Sequence, residues 1–196
     1  MEGVNDQTSN QMTLHSGTSN ACTISNTSQF TGKMLGSNCY STATQDAGCG
    51  VSDTNPTSFG YGFNNAGGGV FVLLWDASAG MSIWHFARAN VPADITNRAP
   101  TPANWGTPAG FWSAQTCNIS ANFYQHSMVI DTTVCGNWAG NAYGSSGCPG
   151  TCAEIVANAS NFVGELADGR LHLCSLLRFV SDARWEINYV AVYQSD

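Results

Sequence analysis

Charged residues are scarce in this sequence, and basic residues are the scarcest. Aspartate, glutamate, lysine and arginine make up 10% of the 196 residues, with six Lys and Arg against thirteen Asp and Glu, for a net charge of -7. So few cations cannot neutralise a row of phosphates, which argues against a nucleic-acid-binding surface. Long apolar runs are also missing, so no segment is predicted to span a membrane.

Metal-binding patterns are missing as well. Cys148 and Cys152 have no second Cys or His pair at zinc-finger spacing. The histidines are scattered along the chain, at His15, His85, His126 and His172. We therefore expect no metal site and no cofactor.

The residues that are abundant indicate an oxidising compartment. Eight cysteines are typical of a disulfide-stabilised secreted protein, and three Asn-x-Ser/Thr sequons, at Asn26, Asn118 and Asn158, agree with secretion. The first residues, in contrast, have neither the basic start nor the apolar run of a signal peptide. We therefore expect a secreted protein whose true N-terminus precedes Met1.

Short apolar or alternating runs separated by turn-rich stretches predict a single all-β domain. We expect strands at residues 10–15, 69–75, 81–87, 127–131 and 185–193, and one short helix around 153–162. The run at 69–75 is apolar on both faces and predicts a central strand. Among the six tryptophans, Trp75 and Trp185 lie on apolar strand faces and are predicted core residues. We expect the remaining tryptophans, apart from Trp138, to be core residues as well.

An ordered set of motifs runs through almost the whole chain. It starts with MEGVNDQ at residues 1–7 and continues through GGGVF at 67–71, VPADI at 91–95, WGTP at 105–108, DTTVCGNWAG at 131–140 and WEIN at 185–188. The set resembles the fungal laminarinase-like branch of glycoside hydrolase family 16. That resemblance implies an antiparallel β-sandwich of the concanavalin A-like jelly-roll type. It also implies a secreted, monomeric retaining endo-glucanase whose partner is β-1,3(4)-glucan, with no nucleic acid and no membrane.

The resemblance also assigns residues to the site. In the family the catalytic strand has the pattern Glu-x-Asp-x-x-Glu, and Glu2 matches the final glutamate, which is the general acid/base. His15 matches a histidine of the cleft, Trp138 matches a sugar-stacking tryptophan, and Asn137 stands where aspartate is common. Retention requires two carboxyl groups about 5–5.5 Å apart. The nucleophile would precede Met1, so we expect the chain alone to be inactive.

Three positions depart from the family. Leu74 stands where an acid is usual, and His85 and Ala87 stand where an aromatic residue and a proline are usual. We expect the local polar pairing and the details of the cleft to differ there.

Two other functions compete with the glucanase. The same fold serves lectin-like sugar recognition, so a non-catalytic β-glucan-binding module is one alternative. The other is a gene-model fragment without activity. An in-frame Glu-x-Asp-x-x sequence in the genomic DNA upstream of Met1 would discriminate among the three.

The segment 164–182 does not fit the family. It holds five of the nine leucines, and the family passes directly from the short helix to the strand that starts near residue 182. We expect it to be translated intron, with a packed amphipathic helix as the alternative. Without Cys174, which lies in this segment, seven cysteines remain, and that odd number suggests a partner in a missing N-terminal part. The pairing of the cysteines stays open.

Overall fold

A computed structural model of the chain describes residues 7–17, 22–25, 27–42, 46–131, 133–146, 149–158 and 186–194. The chain divides into two compact units, one spanning Gln7–Ser127 and the other Met128–Asp196. Glu2, Trp185 and the segment 164–182 lie outside the described residues.

The first unit opens with a three-stranded antiparallel sheet. Its strands are β1 (Gln11–Leu14), β2 (Lys33–Met34) and β3 (Cys49–Ser52), in the order β1-β3-β2. The alternation predicted at residues 10–15 is confirmed, because Met12 points into the core while its neighbours in β1 are half-buried. Two disulfides, Cys39–Cys49 and Cys22–Cys117, tie this region together.

A second three-stranded antiparallel sheet follows in the same unit. It consists of β4 (Gly69–Asp76), β5 (Gly80–Ala87) and β6 (Gly110–Ser113), in the order β4-β5-β6. The strands predicted at 69–75 and 81–87 are confirmed, and they form an antiparallel hairpin. Asp76 Oδ1 closes its turn by accepting hydrogen bonds from the backbone N–H groups of Ser78 and Ala79. Gly80 ends the turn at φ 131°, where a Cβ would lie 2.2 Å from the carbonyl oxygen of Trp112.

The two sheets pack face to face. Met12 and Val51 of the first sheet belong to the same buried cluster as Met81 and Trp112 of the second. The indole N–H of Trp112 donates to the carbonyl oxygen of Cys49 at 3.3 Å and so links the sheets by a hydrogen bond. Alternate residues that face one shared core are the basis of a β-sandwich, so the predicted antiparallel sandwich is confirmed.

The outer face of the second sheet has its own apolar cluster. Trp84 and Trp105 meet there edge to face, with ring centroids 5.3 Å apart, and Ile95 of helix α2 (Ala93–Thr96) completes the buried set. The indole N–H of Trp84 donates to the carbonyl of Gly106, and that of Trp105 donates to Asp94. The core positions predicted for Trp84, Trp105 and Trp112 are therefore confirmed.

The core position predicted for Trp75 is wrong, and β4 is not central among the described strands. In the described part of the chain β4 pairs with β5 alone and lies at the edge of that sheet. Trp75 is 41% exposed and contacts Phe123 and His126 edge-on. An apolar run indicates that a strand can be covered on both faces, but the described elements leave this end of β4 uncovered.

The described residues of the second unit form two short helices. They are α4 (Gly136–Ala142), which continues into a 3-10 turn at Tyr143–Ser146, and α5 (Cys152–Ala157). Helix α5 begins with a capping box between Thr151 and Glu154. The predicted helix at 153–162 is thus confirmed in its first part and ends at Ala157.

The strands predicted at 127–131 and 185–193 are not present in the described residues of those ranges. Val129 is 75% exposed and Val192 is 85% exposed. Alternating apolar residues favour a strand only where a neighbouring strand accepts and donates the ladder hydrogen bonds, and these segments have no such neighbour among the described residues.

The remaining described elements are short connections. Two of them are α1 (Gly60–Asn65) and α3 (Ile119–Asn122), and three are 3-10 turns at Thr27–Gln29, Arg88–Asn90 and Pro102–Asn104.

Candidate functional site

His15 lies in the exposed position that a cleft residue requires, directly after β1. Its Nδ1 is 3.0 Å from Asp46 Oδ1 and 3.3 Å from the hydroxyl of Ser41. That hydroxyl donates a hydrogen bond to the same Asp46 oxygen. These contacts hold the imidazole ring of His15 through its Nδ1 atom.

Strand β1, which His15 follows, carries polar side chains on one face. Gln11 and Thr13 share this face because residues two apart on a strand point to the same side, and Gln11 Nε2 is 3.2 Å from Thr13 Oγ1. Gly50 lies opposite Thr13, and a Cβ there would be 3.3 Å from Gln11 Nε2. Amide, hydroxyl and imidazole groups on this face suit the hydroxyl groups of a sugar chain, and the exposed side chain of Leu35 lies beside Gly50 on the same face.

Sequence reasoning had found His15 on this face but not Asp46, Gln11 or Thr13. The alternation at residues 10–15 already carried the signal for Gln11 and Thr13, because it places them on the side of His15. Asp46 comes from a distant loop, and no pattern in the sequence pairs it with His15.

Asn137 and Trp138 lie together on α4 of the second unit. Asn137 is exposed and Trp138 is half-buried, so part of the indole is available at the surface. The Cys135–Cys152 disulfide joins the start of α4 to the start of α5. A half-buried indole on a cross-linked helix is a rigid platform of the kind that stacks on the apolar face of a pyranose.

Glu2 is outside the described residues, so its role as general acid/base stays a prediction. Of the residues assigned by resemblance, His15 belongs to the first unit, and Asn137 and Trp138 belong to the second.

A buried pair of ionisable residues lies apart from the polar face. His85 Nδ1 is 3.7 Å from Asp53 Oδ2. The ring of His85 packs on Phe71 with centroids 4.9 Å apart and lies 6.1 Å from the ring of Phe63. Burial lowers the pKa of His85, and burial raises the pKa of Asp53, although each charge would attract the other. Asp53 Oδ1 accepts the N–H of Asn55. Burial thus shifts each of the two side chains toward its neutral form.

The described residues contain no group of three or more His, Cys, Asp or Glu side chains arranged to hold a metal ion. In the same part of the chain, no helix combines the length and apolar character needed to cross a membrane.

Known proteins with similar sequences are fungal glycosidases. A probable glycosidase of Schizosaccharomyces pombe is 39% identical over 199 residues, which covers 99% of this chain and 42% of the relative. An endo-1,3(4)-beta-glucanase of Arthroderma benhamiae is 37% identical over 205 residues, which covers 99% of this chain and 40% of the relative. The chain therefore spans less than half the length of these two relatives.

Solved structures that are similar to this chain are also proteins of glycoside hydrolase family 16. A laminarinase 16A from Phanerochaete chrysosporium, with 6-O-glucosyl-laminaritriose in its donor and acceptor sites, is 34% identical with a TM-score of 0.69, covering 81% of this chain and 54% of that one. An elongating family 16 beta-1,3-glucosyltransferase is 33% identical with a TM-score of 0.68, covering 91% of this chain and 53% of that one. These matches confirm the predicted jelly-roll β-sandwich.

A family profile described as an XgeA-like catalytic GH16 domain matches residues 1–166, which is most of the chain. That match agrees with the ordered motifs and with the two packed sheets. The chain belongs to glycoside hydrolase family 16, in its XgeA-like branch.

Proposed function

We propose that the protein acts on β-1,3(4)-glucan of the laminarin type, by the retaining mechanism of a glycoside hydrolase. The observation that carries this proposal is the family match across residues 1–166, a range that includes Glu2, His15, Asn137 and Trp138. A structural relative that holds 6-O-glucosyl-laminaritriose in its donor and acceptor sites supports the same substrate class.

Glu2 is the proposed general acid/base. A glycosidic oxygen is a poor leaving group, so a carboxylic acid must protonate it as the C–O bond breaks. The same residue, now a carboxylate, then removes a proton from the water that hydrolyses the glycosyl intermediate. His15, held by Asp46, is proposed to contact sugar hydroxyls on the polar face of β1.

Trp138 and Asn137 are the proposed sugar-binding residues of the second unit. The indole stacks on the apolar face of a glucosyl ring, and the exposed Asn137 amide offers both a donor and an acceptor to hydroxyl groups.

Hydrolysis needs a second carboxyl group next to Glu2. The 196 residues contain no Glu-x-Asp-x-x-Glu pattern that would supply it on the same strand. We therefore propose that residues 1–196 on their own bind β-glucan without cleaving it. Lectin-like recognition is the alternative function of the same surface.

The protein is also proposed to be secreted. Six of its eight cysteines form three disulfides, Cys22–Cys117, Cys39–Cys49 and Cys135–Cys152. Such bonds persist in oxidising compartments and are rare in the cytosol.

Titration calorimetry of purified residues 1–196 with laminari-oligosaccharides tests the proposal, with dextran oligosaccharides of equal length as the control. Saturable heat with the β-1,3-linked ligand alone is expected, together with no release of reducing sugar from laminarin. Equal heats for both ligands, or none for either, would contradict the proposed substrate class.

A further inference from the structure

We propose that Asn118 is an N-glycosylation site, which rests on the proposed secretion but not on the proposed glucanase activity. The sequon is Asn118-Ile119-Ser120, and it starts α3. The preceding residue, Cys117, is bonded to Cys22, so the sequon begins at a covalently fixed point of the fold.

The side chains that define the sequon face solvent. Asn118 and Ser120 are both exposed, while Ile119 between them is only 1% exposed and packs in the main core. The buried isoleucine fixes the turn, and the two residues that a glycosyltransferase recognises remain on the outside. A glycan on Asn118 therefore extends into solvent instead of displacing core side chains.

The hydrogen bonds of Asn118 are compatible with the modification. Its Oδ1 caps α3 by accepting the N–H of Ala121 at 3.1 Å. Its backbone carbonyl accepts from the side-chain amide and from the N–H of Asn122. Glycosylation changes Nδ2 and leaves Oδ1 a carbonyl acceptor, so the cap bond of the folded protein survives.

The transfer step needs a donor of a defined chemical class, a lipid-linked diphosphate oligosaccharide. Nδ2 of Asn118 attacks the anomeric carbon of the first sugar, and a C–N bond forms there. The C–O bond to the diphosphate breaks, the lipid diphosphate leaves with the electron pair, and Nδ2 loses one proton to a base of the transferase. No oxidation or reduction takes place.

The proposed glycosylation concerns Asn118, and nothing is proposed for the other two sequons. Asn26 lies outside the described residues, and so does Ser160, the hydroxyl residue that follows Asn158. Asn118 is the sequon for which exposure of both recognised side chains and the hydrogen bonds of the asparagine are described.

Mass spectrometry of a single peptide tests the site. The full chain is expressed in a eukaryotic host behind a supplied leader, and only protein recovered from the secretory lumen or the medium is analysed. After the disulfides are reduced and alkylated, which separates Cys117 from Cys22, chymotryptic cleavage after Trp112 and Phe123 releases a peptide of residues 113–123 that contains this sequon alone. Peptide N-glycosidase in H₂¹⁸O is expected to convert Asn118 to ¹⁸O-labelled aspartate.

Matched variants separate the modification from the helix cap. Ser120→Ala keeps the capping asparagine and is expected to abolish the label, whereas Ser120→Thr is expected to retain it. Asn118→Asp keeps the capping oxygen and should leave the peptide without glycan. An unlabelled wild-type peptide in protein that has reached the lumen would overturn the proposal, and so would a label that persists in Ser120→Ala. Neither outcome depends on glucan binding.

Discussion

His85 and Asp53 face each other across the interior of the sandwich, with Nδ1 3.7 Å from Oδ2 and side chains that are 1% and 4% exposed. In the described structure, both ring nitrogens of His85 lack a hydrogen-bond partner, and so does Oδ2 of Asp53. Phe71 covers the ring of His85 and helps to exclude water from it, and this desolvation disfavours the imidazolium more than the nearby Asp53 carboxylate favours it. The site tolerates a neutral histidine more easily than a charged one.

This pair predicts a loss of stability in mild acid. Burial lowers the pKa of His85 below its ordinary 6.5, so its contribution is present above about pH 6.5 and is lost as the pH falls through the folded-state value. Asp53 has a raised pKa and contributes in the opposite sense, with stability present below pH 3.8 and lost as the pH rises through its folded-state value. We therefore expect the free energy of unfolding to decrease on acidification just below pH 6.5.

Urea unfolding at a series of pH values from neutral to mildly acidic checks this expectation. His85→Phe restores an aromatic residue and is expected to flatten the acid limb. His126→Gln is the control, because His126 is exposed and its replacement should leave the limb in place. An identical acid limb in wild type and His85→Phe would contradict the role of the pair.

Trp138→Ala is expected to weaken binding of laminari-oligosaccharides by about 1–3 kcal/mol, which is roughly 5- to 150-fold in Kd, because a stacking surface is lost. The fold should survive, since Trp138 is only half-buried. Calorimetry measures the affinity and thermal unfolding measures Tm. Trp105→Ala is the contrast, because removal of a buried tryptophan should cost about 3–5 kcal/mol of stability. Unchanged affinity, or a Tm loss like that of Trp105→Ala, would assign Trp138 to the core.

The segment 164–182 is predicted to be translated intron. Gly164-Glu165-Leu166 can be encoded GGT GAG TTN, which contains the donor consensus GTGAGT, and Ser181-Asp182 can be encoded TCA GAC, which contains an acceptor AG. Splicing there joins Val163 to one aspartate and then Ala183 in frame, and it removes a leucine-rich stretch that would expose an apolar surface.

Sequencing of the genomic locus and of its transcripts decides whether the segment 164–182 is translated intron. A spliced transcript that lacks codons 164–181 is expected. Codons without GT at Gly164 or without AG at Ser181 would exclude splicing at these positions and favour a genuine insertion, which a surface loop can tolerate.

Local signals predicted much of the fold. The alternation at residues 10–15 and the apolar runs at 69–75 and 81–87 each depend on neighbours in sequence, and the structure contains β1, β4 and β5 at these places. The short helix expected around 153–162 is present in its first part as α5. Burial was less predictable. Trp75 lies on an apolar strand, yet it is exposed because coverage depends on elements distant in sequence.

The candidate site could likewise be predicted only in part, because some of its contacts join residues distant in sequence. Resemblance selected His15, and the alternation of β1 implied the side chains that share its face. The Asp46 carboxylate beside His15, and the interior pair of His85 with Asp53, arise from loops and strands that meet only in the folded chain. Residue type alone did not reveal that His85, at a position where an aromatic residue is usual, would face an acid.

The most direct test of the central claim is the role of Glu2 in a complete catalytic domain. In this test, residues 1–196 replace the matching segment of the Arthroderma benhamiae endo-1,3(4)-beta-glucanase. Laminarin hydrolysis is then compared for the chimera with Glu2, for its Glu2→Gln variant and for its Glu154→Gln variant. Glu154→Gln is the control, because glutamine preserves the capping box of α5. We predict that the domain with Glu2 hydrolyses laminarin and that Glu154→Gln matches it. Glu2→Gln should lose several powers of ten, with a smaller loss in the first step of an aryl glucoside whose leaving group needs no proton. Laminarin turnover by Glu2→Gln within about threefold of the parent would contradict the account.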